Sequence, residues 1–126
     1  MVLRLLTAAE VIVIHDMVLN PGELAGLAKD VSLDGALARV DFQVHYNMIA
    51  DVYELAAMYA VAISQVHAFR DANKRTAHTA MEFILLSHEI VIPMDTKEVG
   101  DIIIKTAQSQ LDEVELAAWL RTQPRR

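Results

Sequence analysis

Cysteine is absent from the 126-residue chain. That removes disulfide staples, thiolate nucleophiles and sulfur-rich metal sites from the functions to consider. Glycine and proline are scarce, at four and three residues, which speaks against a low-complexity chain and favours helices with short connections. No stretch approaches the roughly 18 uncharged apolar residues of a membrane span. The opening "MVLRLLTAAE" has too short an apolar run, and no small-residue cleavage site, to read as a secretion signal. A cytoplasmic location with no membrane partner is therefore expected. Apolar and polar residues nowhere alternate over a useful length, which argues against strands. Positive charge is in the minority: 11 Lys and Arg face 17 Asp and Glu, a formal charge of −6. Direct nucleic-acid binding is not expected of such a chain.

What is present is apolar and helical. Apolar residues make up 54% of the chain and charged ones 22%, enough for one domain, residues 1–126, to bury a real core. Thr7-Ala-Ala-Glu10 has capping-box spacing and opens a helix over about residues 8–19, carrying Val11, Ile12, Ile14, Val18 and Leu19. It stops before Asn20-Pro21-Gly22, and the segment to Ser32, with Gly22 and Gly26, reads as a loop. Ser32 or Asp34 caps a second helix with Leu37, Val40, Phe42, Val44 and Tyr46 on its buried side. "IADVYELAAMYAVAISQVHAF" is apolar almost all round, as befits a central helix packed on several sides, and ends near Phe69. A fourth helix runs from about Asn73 to His88 with Ala77, Ala80, Met81, Ile84 and Leu85 inward. "IVIP" is a short extended or looping piece. Asp95-Thr-Lys-Glu98 opens a fifth helix, and Asp112 with Glu115 a sixth that ends before Pro124. The class is all-α, a compact bundle of about six helices around a central hydrophobic one.

Most of the chemistry sits in "VHAFRDANKRTAHTA", residues 66–80. His67 lies near the end of the central helix, and Asn73 begins the next. A helix start offers N–H groups with no intrahelical partner and the positive end of the macrodipole, a natural anion site. Ala72 is small enough for a ligand to approach the backbone. Asn73 can cap the turn or donate its amide to a phosphate. Lys74 and Arg75 add charge, and arginine grips two phosphate oxygens at once. His67 can accept a proton near neutral pH, and Asp71 can hold Mg²⁺ or orient a partner. Taken one by one the residues fit two readings. The first is a helix boundary with a capping histidine, a core Phe69 and a solvated charged face. The second is a phosphate cradle with a base beside it, the equipment for moving a phosphoryl or nucleotidyl group to a hydroxyl.

Other charged features are blander. Arg70, Lys74 and Arg75 form a local basic cluster, while Arg121, Arg125 and Arg126 read as a solvated tail. His67 and His78 stand on different helices with no ligand pair at metal spacing, so a zinc site is not expected. His15, His45 and His88 read as helix-surface or core-edge residues. Asp51 and Glu54 read as N-terminal charges of the central helix.

The stretch from His67 to Ala77 resembles the signature of the Fic/Doc (Fido) superfamily, and in particular its Doc (death-on-curing) branch, the toxins of Phd–Doc toxin–antitoxin modules. The similarity extends to "HDMVLNPGELAGL", "ALARVDFQVHYN", "DVYELAAMYAVAISQVHAF" and "TAMEFILLSHEI", most of the chain from about residue 10 to 120. The resemblance implies a Fic/Doc-like helical fold with His67 as general base and Phe69 as the hydrophobic anchor of the loop. It makes Asp71 the acidic residue that binds Mg²⁺ or supports catalysis. Ala72, Asn73 and Lys74 become the anion-hole turn, and Arg75 the phosphate arginine. Lys74 stands where Fic proteins that transfer AMP carry glycine, and His78 where they carry a second arginine. Ala72 in place of the usual glycine agrees with Doc. These departures imply the Doc activity: binding ATP in the reversed sense and transferring its γ-phosphate to a Thr or Ser hydroxyl of elongation factor Tu, which stops translation. Two alternatives remain, Fic-type AMP transfer and a catalytically silent module that only binds its antitoxin. Self-restrained relatives carry an inhibitory [ST]xxxE[GN] helix. Here Ser109-Gln-Leu-Asp-Glu113 is followed by Val114 and falls in an expected inter-helix turn, so the resemblance assigns restraint to a separate Phd-like antitoxin.

Overall fold

A computed structural model describes residues 3–29, 31–93 and 96–124. Among the described residues six helices follow one another: α1 Ala8–Val18, α2 Leu33–Tyr46, α3 Val52–Val66, α4 Asn73–Ser87, α5 Thr96–Ala107 and α6 Glu113–Thr122. Among the described residues there is no strand beyond one isolated antiparallel bridge, Leu27 with Phe69. The expected all-α class is therefore observed.

Local chemistry sets most helix starts. Thr7 Oγ1 accepts the Glu10 N–H at 3.2 Å while Glu10 Oε1 accepts the Thr7 N–H at 3.0 Å, the reciprocal box that opens α1. Of the two caps open for α2, Ser32 is the one used, its hydroxyl accepting the Gly35 N–H at 2.9 Å. Asp51 caps α3 through the N–H groups of Tyr53 and Glu54, and Asp112 with Glu115 boxes the start of α6. The Asp95 signal lies outside the described residues.

α3 is the axle of the bundle, packed against α2, α4, α5 and α6, while α1 lies on α4 and α2. Its face toward α4 is built from small residues. Ala56, Ala57 and Ala60 on α3, and Ala77 and Ala80 on α4, are all fully buried, which lets the two helices approach closely. Tyr59, also fully buried, accepts the Leu6 N–H at 2.7 Å and ties the N-terminal segment to the axle. The inward set assigned to α4, Ala77, Ala80, Met81, Ile84 and Leu85, is buried throughout.

Three expectations are corrected. Phe42 and Tyr46 are not on the buried side of α2: they are 63% and 75% exposed and stack on each other at 5.1 Å. The positions 40, 42, 44 and 46 follow a period of two, and a helix turning 3.6 residues per turn cannot put them on one face. His15 is no surface residue but fully buried. Arg121 is no part of a loose tail, since its guanidinium donates to Asp51 at 2.6 Å and to Glu54 at 3.5 Å. Arg125 and Arg126 lie outside the described residues.

Candidate functional site

The residues singled out at 67–75 form one continuous turn between the end of α3 and the start of α4. His67 closes α3 in a left-handed conformation (φ 51°, ψ 46°). This backbone state reverses the chain sharply and is uncommon outside glycine and asparagine. The imidazole is exposed and has no protein partner among the described residues. Ala68 and Phe69 then dive into the core, at 1% and 3% exposure.

Phe69 is held from two directions. Its ring stacks on His15, centroids 3.9 Å apart and nearly parallel. Its backbone is clasped by the Asn73 side chain: the Phe69 N–H donates to Asn73 Oδ1 at 3.0 Å, and Asn73 Nδ2 donates to the Phe69 carbonyl at 2.9 Å. The side-chain amide of Asn73 is thus committed to shaping the turn, and the group it leaves toward a ligand is its main-chain N–H.

Ala72 is the residue that opens α4, again left-handed (φ 64°, ψ 27°), with no side-chain cap. Its carbonyl accepts both the N–H and the hydroxyl of Thr76, at 2.9 and 2.7 Å. Among the described residues, the N–H groups of Asn73, Lys74 and Arg75 have no acceptor within the protein. Uncapped donors at a positive dipole end are what an anion requires. The exposed Lys74 ammonium, also without a protein partner among the described residues, adds full charge beside them.

A strap from the α1–α2 connection crosses this turn. Ala28 N–H donates to the Ala68 carbonyl at 2.6 Å and Arg70 N–H to the Gly26 carbonyl at 3.3 Å, the two bonds that flank the Leu27–Phe69 bridge. Leu24 N–H donates to Asp71 Oδ2 at 2.7 Å. His15 Nε2 lies 2.8 Å from the Asp71 carbonyl. A carbonyl only accepts, so Nε2 carries the hydrogen, while Nδ1 makes no hydrogen bond and lies 3.6 Å from Asp16 Oδ1. Arg75 completes the set: Nη1 donates to the Val18 carbonyl and to Glu23 Oε1, both at 2.7 Å, and Nη2 donates to Glu23 Oε2 at 3.0 Å.

That two-pronged pair holds the Glu23 carboxyl far down, from 4.5 to about 2, with the Asn20 N–H helping. The folded value is depressed, so the interaction is fully present above about 4.5 and is lost as pH falls toward about 2. A carbon-13 NMR titration should therefore place the Glu23 carboxyl midpoint near 2, and Arg75→Gln should return it toward 4.5. An unperturbed midpoint in the intact chain would mean the pair does not persist in solution.

The sequence profile of the Fic/DOC family matches residues 5–85, well over half of the chain. The chain belongs to the Fic/DOC family. It is also similar to the protein kinase doc of Escherichia phage P1, with 30% identity over 120 residues that cover 94% of each chain.

The Fic/DOC match spans α1, the strap, α2, α3 and the turn into α4, the elements that build the site. His67, Asp71, Lys74 and Arg75 are brought together by that turn. Glu113 of the near-miss inhibitory pattern is not at the site: it begins α6 and lines a groove between α2 and α3. His78 Nε2 lies 2.7 Å from Glu82 Oε1 and holds the Glu82 carboxyl below its usual range. His78 also lines a 250 Å³ pocket with Lys74 and Arg75, floored by Gly100, Ile103 and Ile104. Two residues of this Fic/DOC chain escaped sequence reasoning. His15 and Glu23 sit more than fifty residues from their partners, and the only local signal was the "HDMVLNPGE" stretch that carries both.

Among the described residues no three His, Asp or Glu side chains gather as a metal site. Asp71 alone fits a cation in another way. Its Oδ1 has no protein partner among the described residues, and Mg²⁺ is often bound by one or two carboxylates plus phosphate oxygens. No described helix is long and apolar enough to cross a membrane.

Proposed function

We propose that this chain is a Doc-type protein kinase that transfers the γ-phosphoryl group of ATP to a Thr or Ser hydroxyl of elongation factor Tu, and so acts as the toxin of a toxin–antitoxin pair. The observation that carries the reading is the turn itself. It presents an exposed, unpartnered His67 at one end and three uncapped N–H groups with Lys74 and Arg75 at the other. The relative described as a protein kinase supports it at the level of activity.

The substrate hydroxyl attacks the γ-phosphorus, and its proton passes to the free ring nitrogen of His67. The bond from that phosphorus to the β–γ bridging oxygen breaks, and ADP leaves with the electron pair. Charge on the phosphates is met by the main-chain N–H groups of Asn73, Lys74 and Arg75, by the Lys74 ammonium and by the Arg75 guanidinium. Such fixed donors contribute most of the stabilisation in phosphoryl transfer. Bound Mg²⁺, held by Asp71 and phosphate oxygens, would neutralise further charge there. The pocket beside Lys74, Arg75 and His78, with its apolar floor, suits the less polar part of a nucleotide. A Phd-like antitoxin segment that folds on binding needs an exposed apolar surface. The α2–α3 groove, about 670 Å³ with Phe42 and Tyr46 on its lining, is of that kind.

The test is to incubate the protein and elongation factor Tu with ATP labelled at either the α or the γ position. Label from the γ position should appear on threonine or serine. Transfer from the α position alone would establish AMP transfer through the same residues and overturn the kinase reading. Absence of either label, with antitoxin binding retained, would establish the silent binding module.

A further inference from the structure

Arg75 is the most capable phosphate ligand of the turn, yet in the resting chain the two-pronged edge of its guanidinium is already occupied. Both terminal nitrogens face Glu23, and Nη1 also reaches the Val18 carbonyl. A carboxylate held by two parallel N–H···O bonds presents the same fork geometry as two oxygens of a phosphate. Glu23 is placed by the turn it belongs to: its N–H donates to the Asn20 carbonyl at 3.1 Å, and its Oε1 accepts the Asn20 N–H at 2.6 Å. The preceding Gly22 has φ +88°, and the space around its missing Cβ is empty. Gly26, at φ +92°, is likewise open. The strap thus has a conformationally permissive residue on either side of Glu23 and Leu24.

We infer that Glu23 is a built-in stand-in for phosphate, a latch that a polyphosphate ligand must displace from Arg75 to enter the site. The inference rests on the anion-site reading of the turn and adds to it a selection rule. A single phosphate makes too few contacts to replace a covalently tethered carboxylate. A di- or triphosphate can first engage the α4 N–H groups and Lys74, and then take Arg75. Displaced from Arg75, Glu23 returns toward its ordinary 4.5 and is still charged at neutral pH, so opening is driven by the competing anion and not by protonation. When Leu24 moves with Glu23, its N–H releases Asp71 Oδ2, which frees both oxygens of that carboxylate at the moment the phosphates arrive.

Calorimetric titration with ATP, inorganic tripolyphosphate and inorganic phosphate tests the latch. If the closed form is about nine-tenths populated, Glu23→Gln should tighten ATP and tripolyphosphate about tenfold, because apparent affinity scales with the competent fraction. Inorganic phosphate should bind Glu23→Gln measurably more tightly than the intact chain. In an Arg75→Gln background the same change at Glu23 should alter affinity by less than about twofold, because the latch acts only through Arg75. A general loosening of the fold would not vanish in that background. If Glu23→Gln fails to fold, Glu23→Asp, one methylene shorter and unable to reach both nitrogens, should show tightening of the same sign. Unchanged affinity in the Glu23 variants, with the intact chain binding ATP normally, overturns the latch and leaves the kinase reading standing. No binding of any polyphosphate to any variant overturns both.

Discussion

Replacing His67 with alanine should lower phosphoryl transfer about a hundred- to ten-thousandfold, the range for loss of a general base. Stability should hardly change. The side chain is exposed and makes no hydrogen bond or ion pair among the described residues that the variant would lose. Alanine already occupies the same left-handed backbone region at Ala72, five residues further on. The variant should therefore melt with the intact chain and retain ATP affinity, while the rate of γ-label transfer collapses. Expressed in cells, it should be harmless. Toxicity equal to that of the intact chain would remove His67 from the mechanism and favour an action through binding alone.

The second large effect lies in the core beneath the turn. His15→Leu keeps approximate volume but removes both the ring stacked on Phe69 and the donor to the Asp71 carbonyl. Leaving that part-buried carbonyl unpaired costs up to about 1–3 kcal/mol, and losing the ring pair about 0.5–1.5 kcal/mol. Together they predict about 2–4 kcal/mol less stability, measurable as a lower urea midpoint at constant slope. Catalysis should fall too, because the two groups that fix residues 69–71 from below are gone. His15→Gln, which can still donate to the carbonyl, should recover part of the activity. An unshifted midpoint for His15→Leu would show that the stack and the hydrogen bond contribute little.

The difference between what was legible in the sequence and what was not follows the range of the interactions. Thr7 with Glu10, Ser32 and Asp112 with Glu115 act within three residues of themselves, so helix starts could be read directly. The inward face of α4 repeats at helical spacing, and burial followed it. The turn from His67 to Arg75 is likewise one local stretch, and its residues converge because a single reversal carries them all. Phe42 and Tyr46 misled because apolar character says nothing of direction unless its period is checked against 3.6 residues per turn. His15 acts across a pairing set by the packing of α1 on α4, and Glu23 across one set by the strap that follows α1. A histidine stacked on a phenylalanine, or a glutamate closing on an arginine, leaves no periodic trace in a single sequence.

The clasp between Asn73 and Phe69 has a thermodynamic consequence. Together with Thr76 and His15, it holds residues 69–73 in their final shape with no ligand present. Ordering of flexible segments is one of the main costs of association, and this turn has little left to order. What changes on binding is the strap, and it changes in the opposite sense: residues around Gly22 and Gly26 released from Arg75 and Asp71 gain freedom. The conformational entropy of the protein should therefore rise, not fall, when the phosphates are taken up.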